Sequence, residues 1–320
     1  MATSGTSGTR SSTTSTRSAR PTRPSSRSCS PRRSTSASRP TPSPRPATAG
    51  TGCGRGSAGT PAEVRELWFQ AGGIRLAGHL ARPAGASQSR PGVVICHGFP
   101  QAAGGAAYVG RTFPALAQRI ADALGWVVLS FTFRGCGASE GDFSLAGWLE
   151  DVAAATSELR RQEDVVGTWL VGFGTGGAIA VCAAAQDPAV LGVVTMAAPA
   201  DFDDWANHPR RLREFSREVG AIRSSGFPMR FEAWAAELRV ARAVTCAETL
   251  VPRPFMVVHG SDDQSVPVID ARVLADAHGE AELRIVSGAS HDLHLDPRAI
   301  AVLVGWLDRQ WSRHQSARPS

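Results

Sequence analysis

Four stretches of this 320-residue chain carry side chains or turns suited to acid–base chemistry, and each follows a short apolar run. They are His97-Gly98-Phe99-Pro100, Gly172-Phe173-Gly174-Thr175-Gly176-Gly177, His259-Gly260-Ser261-Asp262-Asp263-Gln264-Ser265-Val266-Pro267 and Ser287-Gly288-Ala289-Ser290-His291. An imidazole held by a carboxylate is a general base, and a glycine-rich turn at the head of a helix offers backbone N–H groups to a developing negative charge. The residue at the tip of such a turn is aimed into a pocket, where a serine would be a nucleophile. Here that residue is Gly174, which has no side chain. Singly, His97, Asp263 and His291 read as a strand-end polar residue, an acid before a helix and a loop histidine. Their joint order and spacing favour one site.

Other residues are weaker candidates. Thr175 stands one residue too late for a nucleophile, so its N–H rather than its hydroxyl is expected to face the pocket. Cys136 lies in a loop near the expected pocket rim and would need His291 as its base. Cys96, by strand alternation from His97, is expected to point into packing. His291, His294 and Asp296 form an H-x-x-H-x-D pattern, better read as an exposed loop than as a metal site. The six cysteines are widely spaced without a CxxC pair, so reduced thiols are expected. All 34 basic residues are arginine, which leaves no lysine for a Schiff base or a phosphate loop. No cofactor is implied.

The elements that would position these groups alternate. Leu67–Gln70 and Ile74–Arg82 read as a hairpin around Gly72-Gly73. Apolar runs at Gly92–His97, Trp126–Phe133, Thr168–Phe173, Leu191–Ala197, Phe255–His259 and Glu282–Val286 read as strands buried on both faces. Helical patterns fall at Thr112–Leu124, Leu145–Arg161, Thr175–Gln186, Val268–His278 and Pro297–Trp311, the last with Asp296 as cap. The result is an α/β fold, a mostly parallel central sheet with helices on both faces. Residues 201–249 interrupt the rhythm with two helical patterns around Gly226-Phe227-Pro228, read as a small helical cap over the C-terminal edge of the sheet. Within it Asp201, Asp203, Asp204 and Trp205 are candidate pocket residues, and His208-Pro209-Arg210-Arg211 reads as surface.

Together these stretches resemble the α/β-hydrolase superfamily, its serine aminopeptidases and acyl esterases in particular, over most of residues 65–312. Gly172–Gly176 resembles the nucleophile elbow G-x-S-x-G with glycine for serine. The resemblance makes His97-Gly98-Phe99-Pro100 the oxyanion loop, with the N–H groups of Phe99 and Thr175 as donors and His97, Gly98 and Cys136 as pocket-loop residues. Arg134-Gly135-Cys136-Gly137-Ala138-Ser139-Glu140-Gly141 resembles the family's RGxGxSxG loop. The HGxxDxxVP register implies Asp263 as the acid, with Asp262 as the alternative, and His291 as the histidine. Three functions then stay open: hydrolysis of a small ester or amide by His291-activated water, other proton-transfer chemistry, or ligand binding by a pseudoenzyme.

Residues 1–60 are almost entirely Ser, Thr, Arg, Pro, Gly and Ala, with ten arginines and no acid before Glu63. They cannot bury enough apolar surface to offset chain entropy and read as a disordered tail on a domain at 61–320. The formal charge of +6 divides into a tail of +10 and a body of −4. No aromatic residue is interleaved in the tail, and no apolar run approaches a membrane span, so a small-molecule substrate or ligand is expected rather than nucleic acid or membrane, in the cytoplasm. A chain beginning at Pro61 is expected to unfold at the same temperature as the full chain. A loss of several degrees in Tm would mean that the tail packs on the domain.

Overall fold

The computed structural model describes residues 61–83 and 89–317. The segment 1–60, with Cys29 and Cys53, lies outside the described residues. Eight strands form one sheet: β1 (Glu63–Ala71), β2 (Ile74–Arg82), β3 (Arg90–Cys96), β4 (Val127–Phe131), β5 (Val165–Phe173), β6 (Val190–Met196), β7 (Phe255–Gly260) and β8 (Glu282–Val286). Their spatial order is β1-β2-β4-β3-β5-β6-β7-β8. The β1–β2 hairpin adds antiparallel to β4, and every pairing from β4 through β3 to β8 is parallel.

Strand alternation divides the interior into two cores. On β3, Val93 and Ile95 face α1 (Phe113–Leu124) and α9 (Pro297–Ser316), while Val94 and Cys96 face α2 (Leu145–Arg160), α3 (Thr175–Gln186) and α8 (Val268–His278). Both faces being covered, β3 to β7 read as apolar runs rather than as alternating ones; β8, expected to be buried on both faces, is an edge strand with Arg284 and Ile285 exposed. β4 is shorter than the run at Trp126–Phe133, because Phe133 and Arg134 already belong to the loop beyond it. α9 runs past Trp311 to Ser316, with His314 stacked on Trp311 at 5.3 Å.

Between β6 and β7 the two helical patterns expected around Gly226-Phe227-Pro228 are four short helices: α4 (Asp203–Asn207), α5 (Pro209–Glu218), α6 (Phe231–Val240) and α7 (Ala243–Glu248). Local chemistry makes the breaks. Pro209 has no N–H to continue α4 and begins a new helix instead, with His208 serving both ends. Ala241 and Arg242 leave helical geometry between α6 and α7. Arg242 then bonds Asp203 at 2.7 Å and Asp201 at 3.4 Å, fastening the end of α6 to the start of the insertion.

The crossing of β5 and α3 is as close as backbone allows. A Cβ on Gly172 would collide with Gly176 O and Gly177 Cα, and one on Gly176 would collide with His97 O. Those obstacles are main chain and cannot rotate away. Gly172→Ala is therefore expected to cost about 1–3 kcal/mol as an overpacking change, lowering Tm by roughly 2–4 °C per kcal/mol in a domain of this size. An unchanged Tm would show that strand and helix can separate freely.

Candidate active site

Gly174 joins β5 to α3 with φ 51° and ψ −128°, a conformation that costs any other residue about 1–3 kcal/mol. Its N–H donates to Met196 O at 2.8 Å, and its carbonyl accepts from Gly177 N at 2.9 Å, which fixes the turn from both sides. A Cβ built on Gly174 would lie 3.2 Å from His291 Nε2 and 3.5 Å from Gly98 Cα. The tip of the turn thus points between the imidazole and the loop after β3.

His291 comes from the loop after β8. That loop is stitched to the loop after β7, where Ser261 N donates to Val286 O, Asp262 N to Ala289 O, and Gly288 N to Ser261 Oγ at 2.8 Å. His291 Nδ1 lies 2.9 Å from Asp263 Oδ2, so it carries the proton and leaves Nε2 as the lone-pair nitrogen facing Gly174. Asp263, not Asp262, meets the histidine. Asp262 is exposed and accepts from Ser261 Oγ at 2.6 Å.

The Asp263 side chain is fully buried. Its Oδ1 accepts from Ser265 N at 2.8 Å and Val266 N at 2.9 Å. Its Oδ2 also lies 3.2 Å from Nε2 of fully buried His259, which bonds Val266 O at 3.0 Å. Sequence reasoning passed over His259. Its position opening the His259–Pro267 stretch, four residues before the acid at the end of a buried strand, was the available signal.

His97 and Cys136 do not line the cavity, contrary to the expectation for pocket-loop residues; Gly98 does. His97 is buried, donates from Nδ1 to Gly98 O at 2.7 Å and accepts Phe133 N–H on Nε2 at 3.1 Å. Burial lowers its pKa to about 4, so it is a neutral peg holding the loop after β3 to the end of β4. Cys136 is buried in the loop after β4, and desolvation pushes its thiol up to about 12. Cys96 is likewise buried with its pKa raised by desolvation.

The RGxGxSxG-like loop is a clamp. Arg134 donates from Nε at 2.9 Å and Nη2 at 2.7 Å to Asp151 Oδ1, and its backbone N–H reaches Oδ2 at 2.8 Å. Burial raises the Asp151 carboxyl to about 6 despite those bonds. Trp148 stacks on Phe133 at 4.1 Å and donates to Arg134 O at 3.2 Å. Behind this clamp sits Phe99, whose ring meets Phe143 at 4.7 Å and the insertion's Trp205 at 5.2 Å.

Among the described residues, neither the Phe99 N–H nor the Thr175 N–H has a hydrogen-bond partner, and both residues line the cavity. The cavity has two lobes that share Phe99, Gln101 and His291. One, of about 510 Å³, runs under the insertion past Phe202, Trp205 and Phe215, with Asp201, Asp204 and Asp270 on its walls. The other, of about 330 Å³, contains Gly174 and is bounded by Tyr108, Val109, Phe113 and Phe173. Asp203 turns instead to Arg242, and His208 is exposed. The three residues of the H-x-x-H-x-D pattern diverge: His294 stacks on Phe113 at 5.1 Å, and Asp296 caps α9 through Arg298 N at 2.8 Å. Among the described residues no cluster of possible metal ligands is found, and no helix is long and apolar enough to cross a membrane.

Residues 93–303 match the sequence model of the alpha/beta hydrolase family. No curated protein matches the chain. Among solved structures the fold is similar to Est1E from Butyrivibrio proteoclasticus, with TM-score 0.60 and 16% identity over 79% of this chain and 100% of that one. It is similar to the esterase domain of a Rhodothermus marinus protein, with TM-score 0.58 and 23% identity over 79% of this chain and 98% of that one. A Pyrococcus furiosus esterase gives TM-score 0.55 and 16% identity over 79% of this chain and 91% of its own. At such identities the likeness speaks for the fold alone. The family match spans more than half of the chain, and the sheet order and helix placement agree with it: the chain belongs to the alpha/beta hydrolase family.

Proposed function

We propose that the protein hydrolyses small carboxylic esters or amides by direct attack of water, with His291 as general base and no covalent acyl-enzyme. The observation that carries this reading is the aim of His291 Nε2, 3.2 Å from where a side chain on Gly174 would begin, while Nδ1 is held by Asp263. A water in that space would give its proton to Nε2 as its oxygen attacks the substrate carbonyl carbon. The carbonyl oxygen becomes an oxyanion, met by the Phe99 and Thr175 N–H groups. Collapse of the tetrahedral intermediate breaks the bond to the leaving group, which takes the proton back from Nε2. One ester and one water yield one acid and one alcohol.

The two lobes suit the two substituents of such a carbonyl, one on each side of His291. Phe202, Trp205 and Phe215 in the larger lobe favour an aromatic or alkyl group. Est1E has been solved with ferulic acid bound, which makes aromatic acyl esters the first class to try. The absent serine itself favours a second reading, a pocket that binds without reacting.

Two measurements separate these readings. In a broad ester and amide panel, His291→Ala is expected to lower kcat/KM of the full chain by about 10²-fold or more, the usual contribution of a general base. Wild type should show no acyl adduct by mass spectrometry during turnover. Equal background rates in both proteins would remove the enzyme and leave the binding protein.

Gly174→Ser provides the second measurement. Serine must enter the positive-φ turn, at a cost of about 1–3 kcal/mol, and its Cβ sits tightly enough that His291 must shift by a few tenths of an ångström. Esterase activity is expected to rise, with labelling by a serine-directed phosphonate, and both should vanish when His291→Ala is added. A folded Gly174→Ser protein that neither labels nor hydrolyses would mean that the Phe99 and Thr175 donors cannot hold an oxyanion.

A further inference from the structure

Away from this site, Cys182 on α3 and Cys246 on α7 bring their sulfurs to 3.0 Å. The two are 64 residues apart in sequence and belong to different layers, α3 covering the sheet and α7 ending the insertion. Both line a third cavity, of about 310 Å³, walled by Leu145, Leu149, Ala233 and Ala236 and rimmed by Val240, which is 82% exposed. Cys182 is buried, whereas Cys246 is half-buried, so one sulfur of the pair can be reached through that cavity. The other two described cysteines, Cys96 and Cys136, are buried and have no thiol partner among the described residues.

We propose that Cys182 and Cys246 are a redox site that closes to a reversible disulfide and fastens the insertion to α3. The sulfurs need to approach by only about 1 Å to reach bonding distance. Cys246, the more accessible of the two, is the sulfur that an oxidant entering that cavity meets first. With hydrogen peroxide as oxidant, the Cys246 thiolate attacks one peroxide oxygen, the O–O bond breaks, and hydroxide leaves with a proton as water. The resulting sulfenic acid is attacked by the Cys182 sulfur. The S–S bond forms, the S–O bond breaks, and a second water carries off the thiol proton. Two thiols and one peroxide give one disulfide and two waters.

Closing a loop of this length restricts the unfolded chain strongly, and the tether restrains α7, whose insertion carries Phe202, Trp205 and Phe215 of the larger lobe. The proposal is independent of whether the pocket catalyses. The test treats the full chain with hydrogen peroxide and maps peptides without reduction. A cross-linked pair containing Cys182 and Cys246, lighter by two hydrogens and cleaved by a thiol reductant, is expected. Tm should rise by several degrees, and amide exchange across α4–α7 should slow. Cys246→Ser and, separately, Cys182→Ala should abolish the cross-link and the Tm rise while leaving the reduced protein folded. Oxidation of Cys246 to the sulfinic acid without a cross-link, or pairing only with Cys29 or Cys53, would overturn the site. A cross-link that leaves both Tm and exchange unchanged would overturn the fastening.

Discussion

The contact on which the site depends is the backbone crossing of β5 and α3. Glycines at 172, 176 and 177 let a strand and a helix touch main chain to main chain, and the link between them has no room to be anything but a sharp turn. From that crossing follow the positive φ of Gly174, the placement of the Thr175 N–H at the cavity floor and the closeness of Gly98 to the turn. The loop after β3 rests on the same crossing, because its His97 carbonyl lies where any side chain at 176 would be. Buried, neutral His97 then pins that loop to Phe133, and Phe99 carries it to the insertion through Trp205. One steric constraint therefore sets the floor, one wall and part of the roof of the cavity.

The wall opposite is electrostatic in origin. A buried carboxylate is costly unless it is met by donors. Asp263 is met by two backbone N–H groups and faces two imidazoles. The backbone bonds close the turn between β7 and α8, so part of what offsets the burial is structural and would be there without any chemistry. His259 sits on the same oxygen as His291 and ties it to Val266 O. The imidazole of His291 is thus supported by a carboxylate that is itself immobilised from the strand beneath and the turn beside it.

Much of this was legible in the sequence because it is local. The parallel strands could be read from apolar runs, the main helices from helical patterns, and the elbow and His291 loop from short motifs at strand ends; β1 was read short, as Leu67–Gln70 rather than Glu63–Ala71, because Glu63, Arg65 and Glu66 are exposed. The breaks in the insertion were written in Pro209 and in the Ala241-Arg242 pair, but periodicity alone merges helices separated by one or two residues. The orientation of His97 and Cys136 was not legible, since both sit beside glycines at strand ends, and it takes the packing of His97 on Phe133 and Trp148 and the burial of Cys136 to turn them inward. The choice of Asp263 over Asp262 rested on register, and the structure gives its physical content: Asp263 folds under the turn while Asp262 faces solvent. The Cys182–Cys246 contact joins residues far apart in sequence, which spacing cannot reveal.

Glycine at 174 relaxes the most strained point of the elbow, and a chain selected only for stability would accept that exchange readily. Folding accounts equally well for Asp263, which closes a turn, and for His97, which holds a loop. His291 is different. Its ring is partly exposed, its Nδ1 engages a buried carboxylate, and among the described residues its Nε2 has no hydrogen-bond partner. That nitrogen faces the place where a side chain at 174 would begin, and His291 shares its cavity lining with Phe99 and Thr175, whose N–H groups have no partner among the described residues. Its aim at that position is the observation behind the proposed proton transfer to a small molecule, water first among them.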